Sequence, residues 1–176
     1  MAAMADDQVT DDGLAAAAAL LGADLPEVAE RQLRLAGLAY QRDAEALDHL
    51  ARAEALAPDH LAVLIGFYRF YFYKGRLAEA LTVAERCLAR VAGELRIAAD
   101  WRAVVPGQAD FGDYDAMLPR FYLFTLKAYA YLQLRLGAFT EGALAVTKLL
   151  ALDPTDKVGA KVLLEVLAHR EDADDD

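Results

Sequence analysis

The chain has 176 residues, with 28 acidic against 18 basic side chains, so its net charge is −10 and its isoelectric point lies near 4.7. That length is one domain with room for a real core, and an apolar content of 57% excludes a disordered chain. One cysteine excludes a disulfide framework or a multi-cysteine metal site, and no apolar run reaches the ~18–20 residues of a membrane span.

The acids gather at the ends. Asp6, Asp7, Asp11 and Asp12 stand near the start, and Glu171, Asp172, Asp174, Asp175 and Asp176 close the chain, leaving 19 acids against all 18 bases between residues 13 and 170. A near-neutral body with acidic ends repels phosphate backbones, which argues against nucleic acid as a partner. The tails (1–12 and 171–176) read as solubilising, disordered segments. Leu14 to Leu21 has the length of a signal-peptide core, but acids precede it where a secretory signal carries Lys or Arg. The expectation is a first helix from about Asp12 to Leu21, capped by Thr10 or Asp11, in a cytoplasmic bacterial protein.

From there on, alanine at about a fifth of the residues, with Leu, Glu and Arg, favours helix throughout. Leu47, Leu50, Ala53 and Leu56 recur at helical spacing, as do Ala80, Val83, Ala84, Cys87 and Leu88. Turn signals at Pro26, Pro58-Asp59, Gly75, Gly137 and Asp153-Pro154 cut the chain into helices expected at 26–40, 43–57, 59–74, 77–96, 118–136, 139–152 and 156–169. No stretch alternates as a strand.

Three segments align: EALDHLARAEALAPDH (45–60), EALTVAERCLARVAGE (79–94) and EGALAVTKLLALDPTD (141–156), the first two 34 residues apart. The chain resembles the tetratricopeptide repeat family, most closely in YFYKGRLAEALTVAERCL and LRLGAFTEGALAVTKLLALDPTD. The resemblance implies an all-α, right-handed superhelical stack of antiparallel helix pairs. It gives two repeats over 27–94, an insertion at 95–122, and a third repeat with a closing helix over 123–170, all in a single domain. The turn glycine falls on Gly75 and Gly137, and the small residue that lets paired helices approach falls on Ala46, Ala80 and Gly142. The second packing position falls on Ala53, Cys87 and Leu149, and the closing proline on Pro58 and Pro154. The first repeat has Gln41 for the turn glycine, and the second ends in Ala92-Gly93 without proline. The insertion holds the sole tryptophan, Trp101, in RIAADWRAVVPGQADFGDYDAMLP.

No catalytic constellation assembles. His49, His60 and His169 lack zinc spacing, so neither a metal site nor a cofactor is expected, and Cys87 reads as buried filler. Asp110-Phe111-Gly112 spells a kinase tripeptide by chance, since the other kinase motifs are missing. Asp113 and Asp115 read as solvated loop acids. The unusual feature is Phe67-Tyr68-Arg69-Phe70-Tyr71-Phe72-Tyr73, whose rings point all round a helix and cannot all enter one core face.

In the family, first helices line the concave face. The resemblance therefore assigns a partner-binding groove to Ile65, Arg69, Phe72 and Tyr73, then Phe124, Lys127, Tyr131 and Arg135; Trp101 of the insertion is a further candidate contact, the insertion either filling this groove or bordering it. The places where co-chaperones of the family clamp a carboxylate read Arg31, Leu35, Gly66, Phe124 and Ala128, so that clamp is not reproduced. The expected function is a non-catalytic scaffold holding a protein or peptide, with a homodimer left open and no membrane or nucleic acid involved. Size and charge also resemble small secretion chaperones of the family. The string RFYLFTLKAYAYLQLRLG resembles tetratricopeptide proteins accompanying nitrogen-fixation genes, which implies an accessory role in metalloenzyme maturation.

Overall fold

Seven α-helices follow one another in the computed structural model, which describes residues 21–174, with side chains through His169. They are α1 (Glu27–Leu38), α2 (Asp43–Leu56), α3 (Leu61–Tyr73), α4 (Leu77–Leu95), α5 (Met117–Arg135), α6 (Phe139–Leu152) and α7 (Val162–Asp174). Between α4 and α5 lie two short 3-10 turns, Trp101–Ala103 and Pro106–Gln108. Among the described residues there is no strand, so the fold is all-α, built of helix pairs. The expected helix at 12–21 lies outside the described residues, its last residue Leu21 excepted. The chain divides into two compact units, residues 1–87 and 88–176, and the boundary falls inside α4.

In the first unit α1 and α2 form a hairpin, and α3 packs on α2. Ala29, Ala46 and Ala53 are fully buried in the hairpin, small enough to bring the two axes close. The hairpin turn needs no left-handed residue: Arg42 N–H donates to the Ala39 carbonyl at 2.7 Å, which is why Gln41 can stand where a glycine was expected. Ala57, ahead of Pro58, is extended (φ −142°, ψ 75°), as the proline ring requires. His60 then caps α3, its Nδ1 accepting the Ala62 N–H while Nε2 donates to Asp24 at 2.9 Å.

Gly75, at φ +70°, turns α3 into α4. The Arg76 N–H reaches the Tyr71 carbonyl (2.8 Å) and the Gly75 N–H the Phe72 carbonyl (3.0 Å). The same pair of bonds recurs at Gly137, φ +84°, between α5 and α6: Ala138 to Gln133 (2.9 Å) and Gly137 to Leu134 (3.1 Å). This is the Schellman motif, in which glycine takes the left-handed position without steric cost. Gly93 does not end α4. The helix runs on to Leu95, and Arg96 at φ +56° takes the left-handed place instead, its N–H reaching the Gly93 carbonyl (3.3 Å) and the Ile97 N–H the Ala92 carbonyl (3.0 Å).

In the second unit α5 and α6 form the hairpin, and α7 packs on both. Here Gly142 allows the approach: a Cβ there would lie 2.5 Å from Leu134 Cδ2 and 3.3 Å from the Ala130 carbonyl oxygen. Helix α5 begins at Met117, within a residue of the expected 118, so its first turns belong to the stretch 95–122 that the repeat pattern set apart as an insertion. The insertion is anchored by three buried side chains, Trp101, Val104 and Phe111, each contributing roughly 1.5–3 kcal/mol by its burial. Lys148 Nζ donates to the Val104 carbonyl (2.7 Å) and Lys157 Nζ to the Gly112 carbonyl (2.9 Å), tying the same segment to α6 and to the turn beyond it.

The closing helix departs from expectation at both ends. Asp153 accepts from the Val158 N–H, and Asp156, itself at φ +54°, accepts from Ala160 and Lys161. These carboxylates satisfy the backbone in a turn, so α7 starts at Val162 rather than 156. It then continues to Asp174, taking Glu171–Asp174 into the helix instead of leaving them in a disordered tail.

Candidate partner-binding groove

The first unit carries an open groove of about 360 Å³. Helix α3 contributes Ala62, Ile65, Gly66, Arg69, Phe70 and Tyr73, a stripe at helical spacing. Helix α1 contributes Leu33, Ala36 and Gly37 across from it, Tyr40 follows in the turn after α1, and Leu50 of α2 closes the floor. Gly66 is what makes the floor deep, since a Cβ there would lie 3.2 Å from Leu50 and 3.3 Å from Leu33. At the other wall a Cβ on Gly37 would meet nothing within 4 Å.

One wall is held rigid by aromatic packing. Tyr40 meets Phe70 edge-on (centroids 6.1 Å), and the Lys74 ammonium sits 4.2 Å above the Tyr40 ring while pairing with Asp43 at 2.9 Å. Ile65 is nearly fully buried at the base, Arg69 is half-buried, and Tyr73 is 46% exposed at the rim.

The four residues assigned to this helix therefore separate. Ile65, Arg69 and Tyr73 line the groove, and Phe72 does not. Phe72 stacks on Tyr68 one turn earlier (5.7 Å, 18° between planes), and Phe67 stacks on Tyr71 in the same way (6.0 Å, 25°). The run thus sorts into rings that bury, rings that stack along the helix, and Tyr73 at the rim. Phe70, Tyr40 and the α1 wall were not assigned from the sequence, although the spacing Leu33, Ala36, Gly37, Tyr40 carries the same helical signature.

In the second unit the four α5 residues do not form an open stripe. Phe124 and Lys127 are buried, at 7% and 2% exposure. The Lys127 ammonium lies 3.7 Å from where a Cβ on Gly159 would stand, so the turn before α7 covers it. Tyr131 is half-buried, and Arg135 is exposed, donating to the Tyr131 hydroxyl with its guanidinium 5.5 Å from that ring.

Trp101 packs on Tyr129 of α5 (5.8 Å) and carries the Arg102 guanidinium on its face (4.4 Å). Two residues are about 200° apart around a helix, so the insertion covers the side of α5 opposite Tyr131. Trp101 does not sit against the assigned stripe. Glu141 of α6 ties this corner, accepting from the Tyr129 hydroxyl (2.6 Å) and from Arg102. Burial first, and then that hydrogen bond, pushes the Tyr129 phenol up.

Cys87 is buried, which pushes its thiol up to about 12. His49 Nδ1 bonds Gln32 (2.8 Å). Among the described residues no three His, Cys, Asp or Glu side chains converge as a metal site would require. No helix among them is long and apolar enough to cross a membrane. The Tyr122 hydroxyl is buried without a hydrogen-bond partner.

No protein-family model matches the chain, and no solved structure does. Over 121 residues it is 43% identical to a protein of Azotobacter chroococcum mcd 1 described as "Uncharacterized 19.8 kDa protein in nifW 5'region", an alignment covering 68% of each chain. At that identity and coverage the chain belongs to the same family as this 19.8 kDa protein from the nifW 5′ region.

Proposed function

We propose that the chain is a non-catalytic, tetratricopeptide-like binding module that holds a partner protein in the groove of its first unit. The observation that carries this reading is the groove itself, concave, mostly apolar and edged by Tyr40, Arg69 and Tyr73. Aromatic and arginine side chains are the usual anchors of interfaces. The repeat assignment is supported by the two Schellman turns at Gly75 and Gly137, and by Gly142 at the place of closest approach. Ala57 and Asp153 support it too, taking nearly the same extended conformation ahead of Pro58 and Pro154. The relative's place in the nifW 5′ region supports an accessory role in nitrogen fixation, with the partner among the proteins of that process.

The test is affinity capture from nitrogen-fixing cells, followed by titration of the captured protein. Ile65 is too buried for a clean probe, whereas Tyr73 is exposed at the rim. Tyr73→Ala is expected to weaken binding about tenfold, or about 1.4 kcal/mol, with helicity and melting temperature kept. Equal binding by wild type and Tyr73→Ala would place the partner elsewhere.

A further inference from the structure

We propose that the groove is closed by the chain's own first segment, residues 12–21, and that a partner enters by displacing it. Only the displacement rests on the reading above. The described chain opens at Leu21, which is helical and half-buried. Just after it the Leu25 N–H reaches the Gly22 carbonyl (3.0 Å), a turn that reverses the chain ahead of α1. Within that turn Asp24 accepts from His60 Nε2 at 2.9 Å, and His60 stands two residues before Ala62, the first groove residue of α3. The segment therefore starts from one end of the groove, and run back antiparallel to α1 it follows the groove's length.

Length and shape agree with this occupant. A helix over 12–21 is about 15 Å long, and Ala62 to Tyr73 covers about 17 Å of α3. The walls are low, since Ala36, Gly37, Ala62 and Gly66 carry nothing beyond Cβ, and Gly66 leaves Leu33 and Leu50 open as a floor. Helices approach most closely where both faces are small. In GLAAAAALL (13–21) the helical period puts Leu14, Ala17, Ala18 and Leu21 on one face, small in the middle with a leucine at each end. The tether favours this segment over a second copy of the chain. A segment joined by a short turn acts at an effective concentration of about 1 mM, so a contact with a Kd of only about 0.1 mM fills about nine grooves in ten.

The test titrates the intact chain and its variants with N-phenyl-1-naphthylamine, an uncharged apolar probe, helicity being followed by circular dichroism. With about one groove in ten open, the probe binds the intact chain about tenfold more weakly than it binds an open groove. Leu14→Glu, on the inward face, is expected to tighten probe binding about tenfold. Ala16→Glu adds the same charge about 200° round the same helix, on the outward face, and is expected to change binding less than about twofold. Gly37 is helical and a Cβ there meets nothing, so Gly37→Phe fills the mouth without strain; added to Leu14→Glu, it is expected to remove the gain. Equal probe binding by the intact and Leu14→Glu chains, an equal gain from Ala16→Glu, or a gain that survives Gly37→Phe would each overturn the proposal. The partner reading is judged apart, by capture. A probe series as expected, with Tyr73→Ala capturing like wild type, would keep the self-closed groove and remove the partner from it. A probe indifferent to Leu14→Glu, with capture weakened by Tyr73→Ala, would keep the partner in the groove and overturn its closure by the segment. Where both hold, Leu14→Glu should capture the partner at about a tenth of the concentration that wild type needs.

Discussion

Tyr122 is a single atom's worth of misfit in the second unit. Its ring packs on Phe111 (5.9 Å), but its hydroxyl is buried with no partner, and burial raises its phenol pKa. A buried hydroxyl left unpaired costs about 1–3 kcal/mol, so Tyr122→Phe is expected to leave the melting temperature unchanged or raise it. A clear drop would mean that the hydroxyl is bonded in solution. Cys87 makes the complementary case, a group whose burial suits its neutral form. Its folded pKa of about 12 exceeds the ordinary thiol value of 9.0, so the folded state holds the proton more tightly than the unfolded chain. The stability this contributes is complete below pH 9 and is lost as pH climbs toward 12. Iodoacetamide at pH 8 should modify Cys87 slowly in the native protein and rapidly in urea. Fast native labelling would contradict the burial.

At the level of elements, three glycines, one in a turn and two inside helices, test the turns and contacts separately. Gly142→Leu forces a side chain into Leu134 and should cost about 1–3 kcal/mol. Gly75→Ala places a Cβ at φ +70° and should cost about 1–2 kcal/mol through strain alone, since nothing lies within 4 Å. Gly93→Ala, inside α4 with open space around it, should instead stabilise by about 0.5–1 kcal/mol. Thermal melts of the three check the signs, and a destabilised Gly93→Ala would show that α4 ends before Gly93. These elements also mark what the sequence could reveal. Helix existence was plain from Gly, Pro and apolar spacing, because those signals act within a few residues. The start of α7 was hidden because Asp153 and Asp156 hold the turn by side-chain bonds that no spacing reveals. The His60 cap was hidden for the same reason. Of the groove, the stripe Ile65, Arg69 and Tyr73 was legible from helical period, whereas the fates of Phe72, Lys127 and Trp101 depended on which neighbour reached them first.

For the molecule as a whole, charge is the property that the two ends control. Removing residues 1–12 and 171–176 deletes nine acids, leaving a chain close to neutral. Net charge near zero promotes association, so the solubility minimum should move from near pH 4.7 toward neutrality, read by turbidity across pH. A minimum that stays at the parental value would mean that side-chain pKa shifts, not composition, set it.

The boundary between the units has a consequence for any attempt to divide the protein. It falls between Cys87 and Leu88, in the interior of one continuous helix rather than in a loop. A gene cut there yields two products that each end in a severed helix, with the apolar stripe of Val83, Ala84, Leu88 and Val91 shared between them. Each product gains one new end inside that helix, and a protease finds no loop to nick at this point. Recombination that swaps or duplicates one half therefore has its workable crossover points at the glycine and proline turns, not at the boundary between the units.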